Sequence, residues 1–257
     1  MHLVWDQDVA GSNPVYPTNI LNMIPKIIHY INFGKLSEFR KTVCYNSILE
    51  HCKDFQIMYW DETTFDVNMS EWTKRCYKNR DYRHLADYIR IWALLKYGGV
   101  YIDTDVEVVK PFDDLLQTDK NIVGLEALRY FNIELEQQGN LYPIMKIVGE
   151  NLKRGGVAMG LLVGINPSNS NQILHKVLSK FENTDIISDN VLMEYTNQLF
   201  LENGMDKDSN DVQEVEEYLV YPPEYFCPIP WQNKTVNLEP LKLITDNTYV
   251  IHHYNCD

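Results

Sequence analysis

The sequence predicts an α/β protein whose 257 residues form a single domain around a mostly parallel central sheet. Short apolar runs alternate along the chain with longer segments of helical periodicity, which is the pattern of successive strand–helix units. Gly98-Gly99 separates the most regular helical segment from the apolar run that follows, as a helix end and a turn would. Neither an internal repeat nor a linker divides the sequence. We therefore expect one α/β domain over residues 23–257.

The strands of this domain are expected where apolar and β-branched runs are bounded by turn residues. These runs cover residues 24–31, 55–60, the segment leading into residue 103, and residues 121–125, 157–165, 219–221, 241–244 and 249–252. Helices are expected over residues 36–52, 83–97 and 189–203, and from residue 166 onward, where Pro167 marks a helix start. Residues 203–214 are expected to form a polar, acidic loop.

The first 22 residues are expected to be a flexible lead-in outside the natural fold, because Gly, Ser, Asn and Pro are frequent among them. They lack the basic-then-apolar pattern of a secretory signal. No apolar run approaches the roughly 18 residues that a transmembrane helix needs. The five cysteines form no paired spacing, which favours reduced thiols. These observations together predict a cytoplasmic protein.

The formal net charge of −13 disfavours nucleic acid as a partner, because binding to phosphate backbones requires basic surface. One basic stretch departs from this balance and consists of Lys74, Arg75, Lys78, Arg80 and Arg83. It forms either a solvated helix face or a contact surface for an anionic acceptor or a membrane.

The most informative stretch is Asp103-Thr104-Asp105, which follows an apolar run and so predicts a pair of acids at the carboxyl edge of the sheet. Both carboxylates are expected to be ionised at neutral pH, since the reference pKa of Asp is about 3.9. Two such charges held close together repel each other and favour a divalent cation. If the strand continues, Glu107 points to the same face as both acids, although it could also turn outward at the strand end.

Closely spaced acids also occur in EF-hands and in one class of phosphatase. An EF-hand is excluded, because Val108 stands where its loop needs Gly and Asp114 where it needs Glu. A phosphatase of the haloacid dehalogenase type also places two such acids after a strand and stays a rival. Its first Asp usually lies near the N-terminus, however, and Glu107 occupies a position where that family has Thr or Val.

Five segments occur in a fixed order along the chain: Ile24–Tyr30, Ala86–Arg90, Lys96–Val106, Tyr221–Pro228 and Ile251–Tyr254. Together they resemble the bacterial glycosyltransferases of family 32, DXD-motif enzymes related to the catalytic domains of large clostridial glucosylating toxins. The resemblance implies a single glycosyltransferase A-type (Rossmann-like) domain, a nucleotide-sugar donor that is usually a UDP-sugar, and Mn²⁺ or Mg²⁺ as cofactor.

The same resemblance implies roles for individual residues. In the family the DXD acids hold the metal against the donor diphosphate, which makes Asp103 and Asp105 metal ligands and, with Arg90, the residues implied for catalysis. Asp87 and Arg90 match a helix that contacts the ribose and sugar hydroxyls, and their spacing places them on one helix face. The other implied donor-binding residues are Tyr30, Asn32, Phe33, Tyr101 and Thr104.

A pair of histidines near the C-terminus, His252-His253, matches the family segment that closes over the metal. Neutral imidazole is a suitable metal ligand. Alternation along a strand would turn one ring toward the site and the other away. We expect His253 to be the ligand, and His252 remains the alternative.

Three departures from the family pattern concern the donor site. Related proteins commonly carry Trp at the position of Asn32, where it stacks on uracil, and here only the neighbouring Phe33 is aromatic. The Asn that the family places near residues 157–158 is absent. The chain ends in Cys256-Asp257, whereas the family often ends in Ser-Trp.

The expected function is a metal-dependent transfer of a sugar, with retention, to a bacterial surface glycan or glycolipid, in the cytoplasm or at the inner face of the membrane. Three alternatives stay open: a transferase that modifies a protein, as in the toxin relatives, a metal-dependent phosphohydrolase, and a non-catalytic nucleotide-sugar binding module. The sequence does not indicate the oligomeric state.

Overall fold

The computed structural model describes residues 23–34, 42–126, 129–130, 152–153, 156–185, 187, 191–229 and 244–254. The strands are β1 (Ile27–Ile31), β2 (Gln56–Trp60), β3 (Gly99–Tyr101), β4 (Val106–Val108), β5 (Asn121–Leu125), β6 (Arg129–Tyr130), β7 (Leu152–Lys153), β8 (Val157–Ala158), β9 (Val163–Ile165), β10 (Gln213–Val215), β11 (Tyr218–Tyr221) and β12 (Val250–His252). The helices are α1 (Val43–His51), α2 (Glu71–Lys78), α3 (Tyr82–Tyr97), α4 (Gln172–Glu182), α5 (Met193–Glu202) and α6 (Pro223–Phe226).

Within these residues the central sheet has eight strands in the order β10-β11-β5-β9-β3-β1-β2, with β8 paired to β5. Strand β1 is parallel to both β2 and β3, and β11 is parallel to β5. Strand β9 lies antiparallel between β3 and β5, so β2, β1, β3, β5 and β11 all run in one direction. This arrangement confirms the predicted α/β class with a mostly parallel sheet. Strands β4 and β12 form a separate antiparallel pair beside it.

Helix α3 ends at the predicted residue, Tyr97, and begins one residue before the predicted segment, at Tyr82. Its first turn is capped by the Asp81 carboxylate, which accepts a hydrogen bond from the amide of His84 at 3.3 Å. It ends at Gly98, whose φ of 63° favours glycine. A Cβ added at Gly98 would also lie 2.6 Å from the Cδ of Pro167, so both conformation and space require glycine there.

Other predicted elements differ in their bounds. Helix α1 begins at Val43 and α5 at Met193. The expected starts of these helices fall in residues 35–41 and 188–190, which, like residues 241–243 of a predicted strand, lie outside the described residues. The strand expected over residues 157–165 is divided into β8 and β9 by a turn at Met159-Gly160. Helix α2 is additional to the predicted elements, although Ser70 and Thr73 form a capping box at its start. The predicted lead-in, residues 1–22, also lies outside the described part.

His29 links the first strands to the end of α3. Its Nδ1 accepts a hydrogen bond from Nε1 of Trp60 at 3.1 Å, and its Nε2 lies 2.8 Å from the carbonyl oxygen of Gly98. Burial lowers the pKa of His29 to about 4, against the opposing effect of the Gly98 carbonyl. A neutral imidazole in this position holds β1, β2 and the residue that ends α3 together.

Aromatic side chains fill much of the core between the sheet and helices α2, α3 and α4. Trp72 is 1% exposed, its ring centre lies 4.9 Å from that of Phe181, and its Nε1 donates to the carbonyl of His84 at 3.2 Å.

Cys44, Cys52, Cys76 and Cys227 are buried free thiols. No described helix is both long and apolar enough to cross a lipid bilayer.

We predict that Trp72→Ala lowers the free energy of unfolding by about 3–5 kcal/mol, because it leaves a large cavity among α2, α3 and α4. Urea unfolding followed by circular dichroism measures this change. Val43→Ala is the control, since Val43 is 66% exposed on α1 and its truncation removes little buried surface. A loss for Trp72→Ala as small as that of the control would contradict the described packing.

Candidate metal and donor site

The Asp103–Asp105 turn lies where β3 ends, and backbone hydrogen bonds hold it from several directions. The Asp103 amide donates to the carbonyl of Gly160 at 2.9 Å, and the Val106 amide donates to the carbonyl of Asp103 at 3.2 Å. The carbonyl of Asp105 accepts from the amide of His253 at 3.0 Å. The turn is therefore fixed by the β8–β9 turn on one side and by the C-terminal segment on another.

Among the described residues, Asp103, Asp105 and His252 form a cluster that could hold a metal ion, with one oxygen or nitrogen atom from each lying within 4.8 Å of the others. The Nε2 of His252 is 3.1 Å from Oδ1 of Asp105. The Nδ1 of His252 is buried and has no hydrogen-bond partner in the described part of the chain. Two carboxylates and an imidazole suit a divalent cation such as Mn²⁺. The residues present therefore fit the cofactor that the sequence predicts.

The structure brings His252, and not His253, to the aspartates. Strand β12 pairs antiparallel with β4, and this register places His252 opposite Val106. The ring of His253 lies instead with its Nε2 2.8 Å from Oε2 of Glu107. The ring beside Asp105 is thus that of His252, the alternative that the sequence leaves open, because strand pairing determines which ring faces the aspartates. Which histidine binds the metal stays a prediction.

The same contact shows which of the two orientations expected for Glu107 is adopted, namely the outward one. Strand alternation would place Glu107 on one face with the two aspartates only if a strand ran through all three residues. The strand stops at Tyr101, the chain turns at residues 103–105, and β4 begins at Val106. Glu107 consequently pairs with His253 outside the cluster.

Arg90 lies beside the cluster as a buried charge, with only 8% of its side chain exposed. Its Nη2 is 3.0 Å from Oδ1 of Asp87 and 3.3 Å from Oδ1 of Asp103. Its guanidinium carbon is 4.6 Å from the ring centre of Tyr101. Burial disfavours the Arg90 charge, but Asp103, Tyr101 and Asp87 outweigh it, so that the pKa of Arg90 is raised. Arg90 thus stays charged while removed from water.

The partners of Arg90 are themselves perturbed by this environment. Burial raises the pKa of Asp87, and Arg90 opposes that rise. Burial also raises the pKa of Tyr101, so its hydroxyl stays protonated and donates to Oδ1 of Asp103 at 2.5 Å. Asp103 is therefore oriented by Tyr101 and Arg90 together. Asp87 and Arg90 share a helix face, as their spacing predicts.

The remaining predicted donor residues lie around the end of β1. The hydroxyl of Tyr30 lies 3.4 Å from the carbonyl oxygen of Thr104, which brings these two residues together at the turn. The amide of Asn32 donates to the carbonyl of Trp60 at 3.0 Å. Phe33 is 7% exposed, and its ring stacks on Tyr82 with centres 6.2 Å apart. The Phe33 ring is thus packed in the core, and little of its surface is available for stacking on a nucleobase.

Part of the basic stretch is neutralised by the protein itself. Lys74 pairs with Glu71 at 3.4 Å on the same helix. Arg75 lies 3.2 Å from Asp185 and donates to the carbonyl of Thr184 at 2.7 Å. For Lys74 and Arg75 these contacts favour a solvated helix face over a binding surface for anions.

A family model described as "Glycosyltransferase sugar-binding region containing DXD motif" matches residues 38–122, a stretch that includes Asp87, Arg90 and the Asp103–Asp105 turn. Glucan organizing enzyme 1 of Cryptococcus neoformans var. grubii is 44% identical over 48 residues. These residues are 19% of this chain and 13% of that protein, so the chain spans a small part of its relative.

Solved structures of glycosyltransferases are also similar to the chain. One, involved in the glycosylation of the major capsid of PBCV-1, is 14% identical over 89% of this chain and 93% of its own, with a TM-score of 0.48. The galactosyltransferase LgtC, in complex with donor and acceptor sugar analogs, is 15% identical over 90% and 87% of the two chains, with a TM-score of 0.43. The PaToxG glycosyltransferase is 18% identical over 70% of each chain, with a TM-score of 0.42.

We predict that His252→Ala weakens Mn²⁺ binding by about ten-fold or more, because it removes one of three clustered ligands. His253→Ala is the matched control and should leave the Mn²⁺ affinity close to that of the wild type, since its ring pairs with Glu107. Electron paramagnetic resonance of free Mn²⁺ during a titration measures both. A larger loss of Mn²⁺ affinity in His253→Ala than in His252→Ala would show that His253 is the ligand, as the sequence pattern favours.

Proposed function

We propose that this chain is a metal-dependent glycosyltransferase that uses a nucleotide-sugar donor, with a UDP-sugar as the favoured class. The observation that carries the proposal is the position of the Asp103–Asp105–His252 cluster directly beside the buried Arg90 network. Both lie largely within the segment that matches a DXD sugar-binding region. A cation site next to a buried guanidinium suits a ligand that carries a diphosphate and a hydroxyl-rich ring.

Each group has a separate task under this proposal. Asp103, Asp105 and His252 would hold Mn²⁺ or Mg²⁺, which neutralises the charge of the departing nucleoside diphosphate when it is bound. Asp87 and Arg90 would hydrogen-bond the sugar hydroxyls, and the buried Nε of Arg90, which has no partner among the described residues, is a donor available for this task. Tyr101 keeps Asp103 in place. Catalysis then depends on positioning and on stabilising the leaving group.

The finer features of the proposal are supported by the resemblance to family 32. They are the glycosyltransferase A-type fold, retention at the transferred carbon, a surface glycan or glycolipid acceptor, and a site of action in the cytoplasm or at the inner membrane face. The name of the fungal relative, a glucan organizing enzyme, agrees with a glycan acceptor more directly than with a protein acceptor.

The geometry favours transfer over phosphohydrolysis. A phosphatase of the haloacid dehalogenase type needs its first Asp as a nucleophile. Here Oδ1 of Asp103 accepts a hydrogen bond from Tyr101 and lies 3.3 Å from Arg90 Nη2. These contacts stabilise the carboxylate and lower its nucleophilicity, while they suit a metal ligand of fixed orientation.

We predict that nucleotide release from the best donor in a panel of UDP- and GDP-sugars requires Mn²⁺ and falls by at least about 100-fold in Asp105→Asn, since several kcal/mol of charge stabilisation is lost. The control is Asp211→Asn, which neutralises an exposed acid on the loop before β10. Phosphate release from simple esters would favour a phosphohydrolase instead. Donor binding without turnover or transfer would favour a binding module.

We predict that Arg90→Lys lowers kcat/KM for the nucleotide sugar by about 10²-fold, because Lys cannot reproduce the planar guanidinium contacts. Inhibition by free UDP should weaken less than kcat/KM, since Arg90 is assigned to direct contact with the sugar and affects the diphosphate only through the position of Asp103. Steady-state kinetics with UDP as a competitive inhibitor compares the two effects. An equal loss in UDP affinity would show that Arg90 does not act on the sugar.

A further inference from the structure

We propose that Gly160 is a positioning residue of this site, which seats Asp103, that is, fixes its carboxylate beside Arg90. The Gly160 carbonyl oxygen accepts a hydrogen bond from the backbone amide of Asp103, and the absence of a side chain at Gly160 leaves the space that the Asp103 carboxylate occupies. The consequences of this inference for catalysis rest on the proposed function. Its structural part, the positioning of Asp103 by Gly160, rests only on contacts within the chain.

The contact between Gly160 and Asp103 involves both the backbone and the carboxylate. The Asp103 amide donates to the Gly160 carbonyl at 2.9 Å. A Cβ added at Gly160 would lie 2.0 Å from Oδ2 of Asp103 and 2.9 Å from its Cγ. It would also lie 3.2 Å from Nη1 of Arg90. Both separations from Asp103 are shorter than real Cβ contacts, so the carboxylate occupies the place that any other residue's side chain would need.

Gly160 is required for space rather than for backbone conformation. The described glycines with positive φ are Gly34, Gly98, Gly99 and Gly204. Gly160 is outside this group, so an L-residue meets no conformational penalty of that kind there. The cost of adding a side chain at this position therefore arises from Asp103 and its surroundings.

The Asp103 carboxylate cannot move away from an added Cβ without losing its other contacts. Its Oδ1 accepts from the Tyr101 hydroxyl at 2.5 Å and lies 3.3 Å from Nη2 of Arg90. Arg90 is in turn held by Asp87 at 3.0 Å. Rotation of the carboxylate would separate it from these partners and would change its position relative to Asp105 and His252.

The Gly160 backbone cannot retreat either. The residue lies in the turn between β8 and β9, and β9 is fixed between two strands of the central sheet. The neighbouring residues Met159 and Leu161 are 3% and 1% exposed, so both are anchored in the core. A Cβ at position 160 is therefore expected to displace the carboxylate and not the turn.

The first test compares Gly160→Ala with Gly156→Ala. Gly156 is the matched control, because an added Cβ there would overlap the amide end of the Asn197 side chain, at 1.8 Å from its Oδ1, and not an acid of the cluster. We expect Gly160→Ala to weaken Mn²⁺ binding by about ten-fold or more, as changes next to metal ligands commonly do. Gly156→Ala should leave Mn²⁺ binding unchanged. Equal affinities for Gly160→Ala and the wild type would overturn the inference.

The second test is a double-mutant cycle of Gly160→Ala and Asp103→Ala, in which urea unfolding measures the stability of each variant. This measurement is informative even for a variant that folds poorly. Gly160→Ala should destabilise the wild-type chain but cost little in an Asp103→Ala background, because that background removes the carboxylate that the new Cβ would meet. The same loss in both backgrounds would show that Gly160 does not seat Asp103.

The two tests separate this inference from the proposed function. Failure of the wild-type chain to bind Mn²⁺ would overturn the proposed function, while the cycle would still decide whether Gly160 seats Asp103. If the wild type binds Mn²⁺ normally and the destabilising effects of the two substitutions simply add in the cycle, the inference about Gly160 is overturned and the proposed function is not.

Discussion

The buried charge of Arg90 is the constraint on which the geometry of the site depends. A guanidinium removed from water is costly unless acids and hydrogen bonds compensate it. Asp87 and Asp103 supply the acids, and Tyr101 supplies a ring face and a hydroxyl that orients Asp103. Asp103 therefore belongs to two assemblies at once, the buried ion pairs and the candidate metal cluster. With Asp105 included, the carboxylates exceed the guanidinium by two charges, which is the charge that a divalent cation offsets.

Sequence patterns could predict those parts of this arrangement that local geometry determines. The spacing of Asp87 and Arg90 puts them on one face of α3, and Gly98-Gly99 ends that helix, so the approach to the Asp103–Asp105 turn follows from short-range rules. The direction of most strands also follows from the alternation of strands and helices. The resemblance to a known family adds the association of these segments with a distant histidine pair.

The parts that sequence could not predict depend on long-range register or on close approach. The assignment of His252 over His253 is set by the pairing of β12 with β4, which joins residues far apart in the chain. Alternation along a continuous strand would place Glu107 on the same face as the two aspartates. The turn after Tyr101 interrupts the strand and so changes which side chains share a face. Gly160 gives no signal in the sequence, since a glycine with ordinary φ inside an apolar run is recognised only when Asp103 is seen beside it.

The excess of acids also links metal binding to donor binding under the proposed function. A nucleoside diphosphate is anionic and would be repelled by Asp103 and Asp105 unless a cation lies between them. Each ligand must then raise the affinity for the other by the same factor. The Phe33 ring is packed against Tyr82 and so does not itself stack on the base. Under the proposed function, the diphosphate at the metal and the sugar hydroxyls at Asp87 and Arg90 are the parts of the donor that the described residues would select.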